Sequence, residues 1–184
     1  MAAWYSTDCG DRALAGPVAF GTEGAPQRMR VFLAGIIQGS NPGRDLHDQS
    51  YRDRLKSIIR RHCPDAEVIC PIDLHPTSMD YDPAQQRQAF FSLVGTAASI
   101  DLLVAYLPQA SLGTAIEMWE AYHHGRMVVA ITPMRENWVV NLLARAVLPS
   151  IEAFEAFAAD GRLTALVAEP AAARAGLLVG EQSA

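Results

Sequence analysis

The stretch "YLPQASLGTAIEMWEAYHHGRMVVAITP", Tyr106 to Pro133, sets a carboxylate, Glu117, six residues after Ser111 and four after Gly113. Serine is a preferred helix cap, because its hydroxyl accepts from N–H groups of the first turn. Gly113 lets the backbone approach a ligand closely, with Thr114 beside it. Glu117 falls in the second turn, where its side chain would point near the end of the preceding strand. A carboxylate held there can attack an electrophilic sugar carbon or steady a developing oxocarbenium ion. It can equally be an exposed acid that favours the helix dipole. Spacing alone leaves both readings open.

The elements that must position this acid follow from the pattern of apolar runs. "RVFLAGII", Arg30 to Ile37, reads as a buried strand closed by the loop Gly39-Ser40-Asn41-Pro42-Gly43. "DQSYRDRLKSIIRRH" carries Tyr51, Leu55, Ile58 and Ile59 at helical spacing. "AEVICPI", Ala66 to Ile72, is a second strand, and "DLHPTSMDYDP", Asp73 to Pro83, a polar loop. Residues 84 to 99 read as a helix, Asp101 to Leu107 as a third strand, 112 to 125 as a helix ending at Gly125, and Arg126 to Pro133 as a fourth strand. "NWVVNLLARAVL" and "SIEAFEAFAAD" read as helices, and "RLTALVA" as a fifth strand.

Alternating helices and short continuous apolar strands argue for a parallel sheet covered on both faces. The expected fold is therefore α/β, a flavodoxin-like three-layer sandwich with four or five parallel strands in the order 2-1-3-4-5. Ligands in such sheets bind past the carboxyl ends of the strands, where strand order reverses. That point gathers three loops: Gly35 to Arg44, Asp73 to Pro83, and Pro108 to Thr114. The expected boundaries are an N-terminal arm over 1–28, one domain over 29–168, and a tail over 169–184.

Half of the 184 residues are hydrophobic and 19% are charged, an ordinary globular composition. The net charge of -5, with scattered Lys and Arg, argues against a nucleic-acid groove or a basic membrane arm. Backbone N–H groups can still hold a phosphate in an acidic protein. The cysteines, Cys9, Cys63 and Cys70, are odd in number and lack metal spacing. They read as reduced thiols, and a cytoplasmic location is expected. No apolar run reaches the ~18 residues of a membrane span.

The residues from Asp101 to Pro133 resemble the nucleoside 2-deoxyribosyltransferase superfamily, which includes deoxynucleoside 5'-monophosphate N-glycosidases and CMP or hydroxymethyl-CMP hydrolases. Those families carry a strand opening with Asp, a Ser-x-Gly-x-x-x-Glu loop and helix, and then Gly-Lys before another strand. The matching residues are Asp101, Ser111, Gly113, Glu117 and Gly125-Arg126, and "ASLGTAIE" is especially close to the hydrolases. The first strand, "VFLAGIIQGS", is also similar, so the likeness covers roughly residues 30 to 145. It implies that Glu117 attacks the anomeric carbon and that Ser111 contacts substrate near its phosphate. It implies also that Gly35, Gly39 and Gly113 line the sugar-phosphate side, and that subunits assemble as dimers or larger. The expected partner is a small nucleoside or nucleotide, and the expected chemistry is N-glycosidic hydrolysis without a cofactor or metal. Base transfer and a non-catalytic sensing module on the same fold are the alternatives. A flavin binder is a weaker one.

Two departures from the family pattern bear on mechanism. Leu93 stands where the hydrolases have an acid eight residues before the strand-opening Asp, and no acid lies between Gln88 and Ile100. Asp73, Asp80 and Asp82, with His75 beside them, are the candidate leaving-group acids, and Asp73 is taken as the second catalytic residue. Gln38 replaces the arginine that monophosphate hydrolases place in the first loop. It can hydrogen-bond a hydroxyl or base but cannot neutralise a phosphate; Arg44 is the candidate substitute. Asp101, at the strand's start, reads as structural. Tyr106 and Asn137 sit at strand ends where they could touch sugar or base, with core packing the default for Tyr106; Trp138 could touch a base or simply pack. Trp119 and Tyr122 read as a packing face, and His123-His124 as too divergent for a metal pair.

Overall fold

The computed structural model describes residues 28–39, 41 and 45–169. Apart from Arg28 and Glu169, the expected arm and tail lie outside the described residues, as do Cys9 and Arg44.

Among the described residues, five strands form one parallel sheet: β1 (Arg30–Gly35), β2 (Glu67–Ile69), β3 (Leu102–Tyr106), β4 (Met127–Ile131) and β5 (Ala146–Leu148). Their order is β2-β1-β3-β4-β5, the doubly wound arrangement read from the sequence. Pairing is in register from Val31↔Leu102 to Gly35↔Tyr106, and from Leu102↔Met127 to Tyr106↔Ile131. The carboxyl ends of β1 and β3 therefore finish level, and the chain leaves them in opposite directions. The three central strands are apolar at nearly every position because helices cover both faces.

Alternation along the strands divides the core in two. Val31, Leu33, Leu102, Val104, Val129 and Ile131 face α1 (Ser50–His62), α6 (Ile151–Ala159) and α7 (Arg162–Ala168). Phe32, Ala34, Leu103, Ala105, Val128 and Ala130 face α3 (Pro83–Ala97), α4 (Leu112–His123) and α5 (Trp138–Leu143). A short α2 (Pro71–Leu74) and a 3-10 turn over Ser78–Asp80 link β2 to α3.

Three elements differ from the sequence expectation. The fifth strand is Ala146–Leu148, within the segment expected to be helical. The helix stops at Leu143, and Arg145 N–H donates to the Val128 carbonyl (2.8 Å), which starts the pairing with β4. Pro149 also disfavours helical backbone at Leu148. "RLTALVA" is α7, not a strand: it starts after Gly161 at φ 72° and packs Leu163, Leu166 and Val167 on the first core. The second strand ends at Ile69, because Pro71, lacking an N–H, takes the first turn of α2.

Candidate active site

Between the ends of β1, β2 and β3 lies a cleft of about 590 Å³, larger than two other hollows of about 310 and 100 Å³. Glu117 rises from its floor on α4 and is 8% exposed. Ser111 caps that helix: its hydroxyl accepts from Thr114 N (3.5 Å) and from Thr114 Oγ1 (3.0 Å). The cap fixes where the first turn begins and so aims the second turn, with Glu117, across the strand ends.

Burial pushes the Glu117 carboxyl up to about 8, and the neighbouring Arg52 guanidinium pulls the other way. Arg52 is 2% exposed on α1 and reaches under the end of β1. It donates to the carbonyls of Leu33 (2.9 Å) and Gly35 (3.1 Å), and its Nε to Gln49 Oε1 (2.8 Å). Beside it, the Tyr51 hydroxyl donates to the Ile36 carbonyl (3.1 Å), and burial raises its pKa. A Cβ on Gly35 would run into that hydroxyl, so this position needs glycine. Gly39 sits at φ 58°, with Ile36 and His47 where a side chain would go. Neither Arg52 nor Tyr51 was singled out from the sequence as a site residue. The available signal was Arg52 and Lys56, one turn apart beside an otherwise apolar helix face.

Gly35, Gln38, Gly39, His75, Ser111, Gly113, Thr114 and Glu117 all line the cleft. A Cβ on Gly113 would meet nothing within 4 Å, so this first turn of α4 faces open space. The remaining wall comes from α3 and the segment before it, including Met79, Tyr81, Phe90 and Leu93. His75 Nδ1 lies 3.2 Å from the Tyr81 hydroxyl, and the two rings meet edge to face.

Three expected site residues are placed elsewhere. Asp73 lies outside the cleft wall, with its carboxylate 2.6 Å from Lys56 Nζ. Tyr106 faces the opposite side of the sheet, its ring 4.2 Å from that of Tyr51, and lines the 310 Å³ hollow. The reason is strand alternation: Ala105, not Tyr106, faces the cleft side. Asn137 caps α5, accepting from Val140 N at 3.2 Å, and lies outside the cleft wall. Asp82 is likewise engaged as the cap of α3, in a reciprocal box with Gln85. Asp101 accepts from Arg30 N (2.8 Å) at the amino-terminal end of the sheet.

Trp119 is 52% exposed with His123 stacked on it, whereas Tyr122 packs beside the second core. His124 points its ring to the Glu120 carbonyl, 2.9 Å away. Cys63 and Cys70 are buried free thiols. Among the described residues, no group of three or more His, Cys, Asp or Glu side chains could hold a metal ion. No described helix is long and apolar enough to cross a membrane.

No protein-family model matches the chain, and no curated protein matches it. Among solved structures, the 2-deoxyribosyltransferase of Bacillus psychrosaccharolyticus is 14% identical, over 68% of this chain and 90% of its own, with a TM-score of 0.53. A conserved protein of Enterococcus faecalis V583 is 20% identical, over 73% and 99%, with a TM-score of 0.52. The CMP N-glycosidase of Clostridium botulinum is 17% identical over 69% and 95%; its TM-score of 0.40 carries no argument. At such identities the first two likenesses show a shared α/β fold.

Proposed function

We propose that the protein hydrolyses the N-glycosidic bond of a nucleoside, a nucleoside 5'-monophosphate or a related N-riboside, with Glu117 as nucleophile. The observation that carries this reading is a single buried carboxylate on the floor of the largest of the three hollows, at the switch point between β1 and β3. The Ser-x-Gly-x-x-x-Glu resemblance, and the fold shared with a 2-deoxyribosyltransferase, support it.

In this reading Glu117 attacks C1', the base departs, and water opens the resulting ester. Dividing one displacement into two lowers each barrier. Arg52 acts through Glu117 by favouring its charged form. Ser111, Gly113 and Thr114 hold the sugar side from the helix N-terminus, and Gly35, Gln38 and Gly39 close over it from the first loop. Asp73, held by Lys56, lies outside the cleft wall, whereas His75 and Tyr81 line it as a pair.

Base transfer is the second reading, favoured by the likeness to a transferase. It shares the first half-reaction and differs in what opens the ester. The test is a panel of nucleosides and 5'-monophosphates, with and without a second free base. Release of base, lost in Glu117→Gln, supports hydrolysis; release that requires the second base supports transfer. Saturable binding without turnover by any member would leave a sensing module.

A further inference from the structure

A heterocycle leaving C1' takes the bonding electron pair onto its nitrogen. A neutral base therefore needs a proton as it departs, usually from a positioned acid. A ring that already carries a positive charge leaves as a neutral molecule and needs none. The described wall of the cleft matches the second case. Glu117 is the one carboxyl among the described lining residues, none of them is Lys or Arg, and the two other groups that could pass a proton, His75 and Tyr81, are paired with each other at 3.2 Å. Asp73 and Asp82 are outside the wall, one bound to Lys56 and the other capping α3. The guanidinium of Arg52 is buried under β1 and engaged with two carbonyls. α3 and the segment before it face the cleft with Tyr81, Phe90, Met79 and Leu93, and with Ser78 and Gln86 as uncharged polar neighbours. Aromatic rings lining a cleft beside one carboxylate suit a flat cation.

Resting on the hydrolase reading above, we propose that the substrate is an N-riboside whose leaving heterocycle carries a permanent positive charge, as a pyridinium does. Glu117 is its counter-ion and its attacking group, and Tyr81 and Phe90 are the ring's wall. A Glu117 carboxylate oxygen bonds to C1', the C1'–N pair moves onto the ring nitrogen and cancels its charge, and the neutral heterocycle departs. Water then opens the ester, releasing the sugar and one proton and restoring the carboxylate. The electrostatics of the site fit this sequence. Burial holds the Glu117 carboxyl at about 8, so at neutral pH it is mostly protonated and unable to attack. A cation arriving beside it favours the charged form, so the substrate itself arms the nucleophile. A neutral nucleoside offers no such assistance.

The test uses the full chain at pH 7 with nicotinamide riboside, with and without a 5'-phosphate, its neutral dihydro form, and cytidine, following release of the ring by chromatography. The expected result is that the cationic probe is cleaved with kcat/KM at least about tenfold above both neutral probes, an activity lost in Glu117→Gln. Phe90→Leu should raise KM for the cationic probe about threefold to thirtyfold, the range for one lost cation–π contact, and raise that for cytidine by less. Equal or better cleavage of the neutral probes, dependent on Glu117, overturns this inference and leaves the hydrolase reading standing. No release from the cationic probe, or release indifferent to Glu117→Gln, overturns the inference. The hydrolase reading falls only if the nucleoside and nucleotide panel is inert as well.

Discussion

Replacing Glu117 by Gln removes a charge while keeping the side chain's shape. The buried carboxyl titrates at about 8 in the folded protein instead of at the ordinary 4.5. The folded state therefore holds its proton over a pH range in which the unfolded chain has lost it. Between those two values stability falls as pH rises, because the unfolded state binds fewer protons there. At about 1.4 kcal/mol per pH unit, the loss reaches on the order of 3 kcal/mol at pH 7 and about 5 above pH 8. The neutral amide of the Glu117→Gln variant carries no such penalty. The difference in unfolding free energy between variant and parent should thus be small near pH 4.5, grow in the variant's favour through pH 7, and flatten above about 8. Urea unfolding of both proteins at several pH values measures it, and contributions from other titrating groups cancel in the difference. A difference that stays flat with pH, or grows toward acid, would refute the claim that this carboxylate is destabilised by burial. The same variant should have no activity, which separates a site that stores strain in its nucleophile from one whose acid merely packs.

For a neutral substrate, kcat/KM should climb about tenfold per pH unit below about 8 and level off above it, since the free enzyme must lose the Glu117 proton before attack; a profile flat from pH 5 to 9 would contradict this. Arg52→Gln removes two charge-assisted bonds to the end of β1 and should cost on the order of 3 kcal/mol. It should also move the activity profile to more alkaline pH, because the cation that lowers the Glu117 pKa is gone. Gly113→Ala should stabilise the empty protein by up to about 1 kcal/mol, as Ala replaces Gly within a helix, yet raise KM, because the added methyl enters open cleft. Leu112, Ile116 and Trp119 on α4, with Trp138 and Leu142 on α5, are exposed apolar side chains. If they carry a subunit contact, Trp119→Glu combined with Trp138→Glu should lower the mass measured by light scattering.

The parts of this fold that were legible in the sequence share a physical cause. β1, β3 and β4 are covered on both faces, so they read as uninterrupted apolar runs. β5 was hidden because three residues cannot display a period. Its "AVL" continues the apolar spacing of the helix before it, and only the following proline marked the change. "RLTALVA" is short enough to satisfy either period, and its helical state is settled by packing of Leu163 on the core. In the site, Ser111 and Glu117 were legible because a cap residue sets the phase of its helix. For Tyr106 strand alternation decides: with Ala105 on the cleft side, its neighbour faces away, toward the first core. Arg52 was not legible as a buried cation, because what holds it is a pair of carbonyls at the end of a strand distant in sequence. Phe90 lies on α3, a helix legible in the sequence, but its approach to the cleft depends on the packing of α3 beside α4, and Tyr81 lies in the irregular segment before that helix.

The central claim is that the Glu117 carboxylate bonds to the anomeric carbon. A 2'-fluoro-substituted substrate slows the opening of such an ester and allows it to accumulate. Mass spectrometry of the protein quenched after brief exposure should show one added glycosyl group, located by peptide mapping on Glu117 and absent in Glu117→Gln. Base release without any adduct, or an adduct on another side chain, would contradict the account.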